Sequence, residues 1–178
     1  MDEKFRKLIE LGAGDFELAD AKLIAHLEGT RCLLKEWHGS DDLQQAGLYH
    51  AAYGTSHISQ SIFNLSQRKD VAAVIGDKPE KLVYLYFACQ TAPFFAQFGE
   101  VEQPIFYDRL TNSHSALTPE QLANLCELFA AKEIDLVIYQ PEYATKHAKR
   151  LMDLFGRMQG FLSLSARRKI EHVFAAKA

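Results

Sequence analysis

Apolar residues recur at the spacing of an α-helix along most of this chain. From about Ala19 to Trp37 the stripe Leu23, His26, Leu27, Thr30, Leu34, Trp37 repeats at i, i+3/4 and i+7, which is one face of a helix. Gly39-Ser40-Asp41 breaks the pattern, and Ser40 or Asp41 suits the cap of a next helix. That helix carries Leu43, Ala46, Gly47, His50 and Gly54 on a single face, with Ala46 and Gly47 small enough to admit another helix closely. A short opening helix over about 3–11 is stopped by Gly12 and Gly14.

Beyond Gly54 the chain reads as irregular to about Leu65, and Ser66 then caps a helix to Ile75. Pro79 fits the first turn of an apolar helix ending near Cys89. The segment from Thr91 to Ser115 holds Gly99, Pro93 and Pro104 among several aromatics, and predicts a long ordered loop with one short helix. Thr118-Pro119-Glu120-Gln121 is a helix start with a threonine cap and a glutamine that completes a capping box. That helix reaches about Tyr139, Pro141-Glu142 opens another to about Phe155, and Ser163 or Ser165 caps the last. Val83-Leu85 and Val137-Ile138 are β-like runs embedded in longer helical patterns. The expected fold is all-α, a single-domain multi-helix bundle with its core over about 11–140 and the helices of 141–176 packed on it.

Composition changes this picture little. At 178 residues, 48% hydrophobic and 24% charged, the chain suits one folded domain rather than a disordered segment. A net charge of −3 gives no global attraction to nucleic acid or to an acidic membrane surface. The basic groups Lys146, Lys149, Arg150 and Arg167, Arg168, Lys169 sit in amphipathic stretches, as solvated helix faces do. Cys32, Cys89 and Cys126 are widely spaced, so neither a disulfide framework nor a thiolate zinc site is indicated. No apolar run approaches the roughly 20 residues needed to span a bilayer, and MDEKFRKLIELG lacks the apolar stretch of a secretory signal. A cytoplasmic protein with no nucleic-acid or membrane partner is expected.

Candidate chemistry centres on His26 and His50, both of which fall among apolar side chains on consecutive helices. A buried imidazole left without a partner costs on the order of 1–3 kcal/mol, so each must meet a hydrogen-bond partner, a metal or a ligand. Further metal ligands could come from His57 on the turn after the second helix, from Glu133 on the apolar face of Leu122, Leu125, Cys126, Phe129 and Leu136, or from Asp135 at its edge. Two histidines and a carboxylate suit Zn or non-haem Fe, whereas two satisfied core histidines would need none of this. Asp108 and Arg109, near Phe94, Phe95, Phe98, Phe106 and Tyr107, would either form a pair pinning the loop or place one guanidinium in an aromatic pocket that grips a small anion. Tyr53 could donate into the same pocket. GxSxG, P-loop, GxGxxG and HExxH motifs are absent, so no nucleotide cofactor is expected.

The segments LIAHLEGTRCLLKEW and AGLYHAAYGT resemble a family of uncharacterised helical domains with the pattern HxxGT…W…HxxYGT. The matching residues are His26, Gly29, Thr30, Trp37, His50, Tyr53, Gly54 and Thr55, and the likeness runs from about Leu11 to Val137. More distantly the chain is similar to the HD superfamily of metal-dependent phosphohydrolases, whose relatives include di-iron oxygenases. His26 and His50 match that superfamily's first two histidines in order and spacing, but Ala51 stands where its aspartate belongs. What the residues and the resemblance suggest together is a small-molecule enzyme, a hydrolase or oxygenase, on a degenerate HD-like scaffold. His26, His50 and Asp135 would hold one divalent Fe, Mn or Zn ion. His57, Tyr53 and Glu133 would be catalytic, and Arg109, Asp108, Thr30 and Thr55 would bind a small anionic substrate. The alternative is a non-catalytic module binding a small ligand or a protein without metal.

Overall fold

The computed structural model describes residues 3–8, 20–54 and 61–176. Among the described residues the fold is all-α apart from one hairpin. In chain order the helices are α1 (Glu3–Leu8), α2 (Asp20–Glu36), α3 (Asp41–Tyr49), α4 (Arg68–Ile75), α5 (Asp77–Ala88), α6 (Thr91–Ala96), α7 (Pro119–Tyr139), α8 (Pro141–Met158) and α9 (Leu164–Ala175). The opening-helix stop at Gly12 and Gly14 lies outside the described residues.

The capping chemistry sets most boundaries. Ser40 Oγ accepts from the Leu43 amide at the start of α3, and Ser163, rather than Ser165, caps α9. Thr118 and Gln121 form the reciprocal capping box at α7, with Pro119 in the first turn. Other boundaries differ from the periodicity. α3 ends at Tyr49, so His50 is its C-cap and Gly54 lies beyond a turn rather than on the helix face. The α4 region opens with a 3-10 turn over Leu65–Gln67 capped by Asn64, so Ser66 lies inside that turn and caps nothing.

The segment expected to be loop contains an antiparallel hairpin, β1 (Ile105–Asp108) with β2 (Ser113–Ala116), paired Ile105 with Ala116 through Asp108 with Ser113. Asp108 Oδ1 accepts from the Leu110 and Thr111 amides and folds the turn. Backbone bonds from Gln90 to Tyr107 and from Arg109 to Ala88 tie β1 to the end of α5.

One contiguous core runs from Leu27 to Phe174. α7 is its axis, packed on α2, α3 and α5 on one side and on α8 and α9 on the other. α2 and α3 cross closely at Gly47, where a Cβ would come within 2.6 Å of Leu34 Cδ1. Among the described residues no helix is long and apolar enough to cross a membrane.

Candidate functional site

The two histidines differ more than their shared apolar pattern suggests. His26 lies at the margin of the buried face of α2, its side chain 14% exposed, whereas His50 is completely buried. Their rings meet edge to face with centroids 5.1 Å apart, and Tyr86 packs on the far side of His50 at 5.5 Å. His50 donates from Nδ1 to the Gly47 carbonyl at 2.7 Å, which leaves Nε2 as a buried acceptor with no partner. Burial above all, and then the neighbouring His26, hold the His50 pKa well below the ordinary imidazole range. His50 is therefore a neutral ring in the core.

His26 is joined to Asp135 of α7: its Nδ1 donates to Asp135 Oδ2 at 2.6 Å. A carboxylate only accepts, so Nδ1 carries the proton of this bond and Nε2 is the ring nitrogen left for other chemistry. Gly29, one turn after His26, explains how α7 comes so near. A Cβ at position 29 would lie 2.0 Å from Asp135 Oδ1, so only glycine leaves room for the carboxylate. The Thr30 hydroxyl donates to the His26 carbonyl at 2.8 Å. The spacing of His26, Gly29 and Thr30 is thus a docking surface for Asp135: the imidazole binds it, the glycine admits it, and the threonine is bonded to the same turn.

The pair opens on a cleft of about 910 Å³. Ala25, His26, Glu28, Gly29 and Cys32 of α2 form one wall, Asp135 and Tyr139 of α7 another, and Gln140, Pro141 and Glu142 close it at the start of α8. Arg31 grips Glu28 with two nitrogens, at 2.9 and 2.5 Å. The Cys32 thiol is held above its usual pKa by burial and then by Glu28, so it is a weak nucleophile.

The remaining candidates are placed elsewhere. Asp135, assigned to the edge of α7's apolar face, is buried, while Glu133, assigned to its middle, is half-buried with Lys132 at 3.1 Å and the Tyr143 hydroxyl as partners. α7 is covered from several directions, so a single-face wheel ranks its positions poorly. Tyr53 donates to buried Glu80 at 2.7 Å, and Arg68 grips the same carboxylate at 2.6 and 2.7 Å. Arg68 also lies 3.9 Å from the centre of the Tyr84 ring, whose hydroxyl bonds Asp108 Oδ2. Arg109 stacks on Phe87 and donates to its carbonyl, and neither Arg109 nor Asp108 lines the His26 cleft. Thr55 and His57 lie outside the described residues. The Glu80–Arg68 clamp is absent from the sequence reading. Its only local sign is an acidic residue just before the apolar run Leu82–Ala88.

Among the described residues no three His, Cys, Asp or Glu side chains form a group that could hold a metal ion. One nitrogen of each histidine is already committed, to Asp135 and to Gly47. Each ring still has its Nε2, as metal-bound histidines do when Nδ1 is held by a carboxylate or a carbonyl, but among the described residues no third donor completes a ligand set.

Residues 7–91 match the model of a family described as a domain of unknown function, DUF6817. That span carries both histidines, Gly29 and Tyr53, and stops short of Asp135. No curated protein and no solved structure matches the chain.

Proposed function

We propose that the cleft binds a small molecule and that His26, oriented by Asp135, acts on it as a general acid/base. The observation that carries this reading is the 2.6 Å bond between a partly exposed imidazole and a buried carboxylate on the wall of a 910 Å³ cleft. Asp135 fixes the ring and its tautomer, and its charge offsets the positive charge the ring gains on taking a proton. The base would act on water or on an acidic proton of the ligand, because Cys32 beside it is disfavoured as a thiolate. Hydrolysis of a small molecule is the reaction class that fits. His50 backs the His26 ring as a neutral packing partner.

The order of His26 and His50, with Ala51 in place of an aspartate, is what would tie this site to an HD-like lineage. The test is turnover of a panel of small esters, amides and phosphoesters, followed by NMR. Conversion should fall by about 100-fold or more in a folded His26→Gln variant. Conversion at the wild-type rate in that variant would exclude the acid/base role. Ligand binding in the cleft without conversion of any compound would favour the non-catalytic module.

A further inference from the structure

The hairpin has one closed edge and one open edge. The backbone of Ile105 points away from β2, where the Gln97 side chain accepts from its amide at 2.8 Å and donates to its carbonyl at 2.9 Å. Farther along the same edge, the Tyr107 carbonyl accepts from the Gln90 amide and the Arg109 amide donates to Ala88. Ile105, Tyr107 and Arg109 therefore direct these groups away from β2, and Phe106 and Asp108 direct theirs at it. Phe106 is paired with Ser115 and Asp108 with Ser113. It follows that Ser113 and Ser115 face β1, while His114 and Ala116 turn their N–H and C=O groups outward. Among the described residues no hydrogen bond reaches those outward groups, and every residue of β2 is exposed.

A glutamine covers the edge of β1, and nothing comparable covers β2. Ser113-His114-Ser115-Ala116 also contains no lysine, no carboxylate and no proline, and its register with β1 runs without a bulge. Those are the usual devices that keep an edge strand from pairing.

The open groups are self-complementary. They lie symmetrically on either side of Ser115. Two copies set antiparallel about a twofold axis at Ser115 would pair His114 of each with Ala116 of the other, and every outward N–H would meet an outward C=O. The side chains agree with that register. On the outer face Tyr107 packs on His114, ring centres 4.4 Å apart, and Ile105 is paired with Ala116. Each row then continues across the seam, from Tyr107 and His114 to Ala116 and Ile105 of the second copy, and it carries no Asp, Glu, Lys or Arg. The same register brings the turn 109–112 of each copy beside residues 117–120 of the other. Arg109 is exposed there, its guanidinium bonded to the Phe87 carbonyl alone among the described residues, and Glu120 is exposed in the first turn of α7. Opposite charges therefore meet at both ends of the seam.

We propose that β2 is the surface through which two copies of this chain associate, joining their hairpins into one four-stranded antiparallel sheet. Two short strands bury less than the roughly 1,200–2,000 Å² of a stable specific interface, so the dimer is weak and depends on concentration.

Sedimentation velocity from about 10 μM to about 1 mM at pH 7.5 should show the mass rising from 20.1 kDa toward about 40 kDa. Amide exchange read by NMR should slow at His114 and Ala116 as concentration rises. Ser113 and Ser115 should not change, because their amides already bond β1. His114→Pro removes an outward donor and spares the ladder to β1, so it should weaken association at least about 10-fold with Tm near wild type. Ser115→Lys and Ser115→Glu test the register without touching the backbone. Each alone sets like charges across the axis and should associate more weakly than wild type, and their equimolar mixture more tightly than either. Wild-type protein that remains at 20.1 kDa throughout overturns the proposal. So does a dimer that survives both His114→Pro and the charged variants, or a mixture no tighter than its components.

Discussion

Replacing Gly29 with alanine tests the architecture of the site through a reversal of sign. In an ordinary helix interior, glycine to alanine stabilises by roughly 0.5–1 kcal/mol. Here the new Cβ would lie 2.0 Å from Asp135 Oδ1 and 2.9 Å from its Cγ. Relief requires the carboxylate to withdraw by more than about 1 Å to reach ordinary van der Waals separation, which breaks its 2.6 Å bond to His26. Losing a hydrogen bond to a charged group costs about 1.5–3 kcal/mol, and crowding a packed interface adds about 1–3. Against the helix gain, the net expectation is a loss of about 2–4 kcal/mol, or roughly 5–15 °C in Tm for a chain of this size.

The assay is thermal and urea unfolding of four proteins: wild type, Gly29→Ala, Asp135→Ala and the double variant. With the carboxylate gone, alanine at position 29 has room. The substitution should then be neutral or stabilising, giving a coupling energy of at least about 2 kcal/mol. A Gly29→Ala protein more stable than wild type, or the same cost in the Asp135→Ala background, would refute the close approach of α2 and α7.

Three further outcomes are expected. His50 is held well below its usual pKa by burial and by His26, with Lys132 adding to the effect. The unfolded chain therefore binds more protons below about pH 6.5, and stability is complete above that pH and falls as pH drops, by up to about 1.4 kcal/mol per pH unit. Urea unfolding of His50→Phe between about pH 6.5 and 5 should show a shallower slope by up to one proton; an unchanged slope would place the titration elsewhere. Glu80→Gln should cost about 2–3 kcal/mol in urea unfolding, because it removes the charge that Arg68 and Tyr53 share, whereas Tyr53→Phe should cost only about 1. Native alkylation should label Cys32 alone by intact mass, since Cys89 and Cys126 are buried and burial pushes the Cys89 thiol up to about 12; a second native label would contradict the packing.

The helical architecture was legible because its boundaries rest on local chemistry: Thr118 with Gln121, Ser40 and Ser163 are caps that need no tertiary information. The hairpin was not legible. β2 is Ser-His-Ser-Ala with every residue exposed, so it shows no alternation, and its pairing depends on the end of α5. Both histidines stood out as polar rings on apolar stripes, but periodicity could not say which was sealed and which opened on a cleft. Asp135 was placed at the edge of an apolar face, whereas it is buried and bonded to His26 across the α2–α7 contact. A better sign was present in Gly29. A mid-helix glycine one turn from a histidine costs helix stability, and so marks a place where something must come close.

The bond between His26 and Asp135 spans 109 positions of sequence. The first 91 residues contain the imidazole and the glycine that makes room beside it, but not the carboxylate. During synthesis the histidine therefore emerges long before its partner. Until α7 docks, His26 is an imidazole with neither orientation nor fixed tautomer, and the cleft lacks one of its walls. The acid/base role proposed for His26 needs α7 in place, so a chain truncated before Asp135 is expected to lack it.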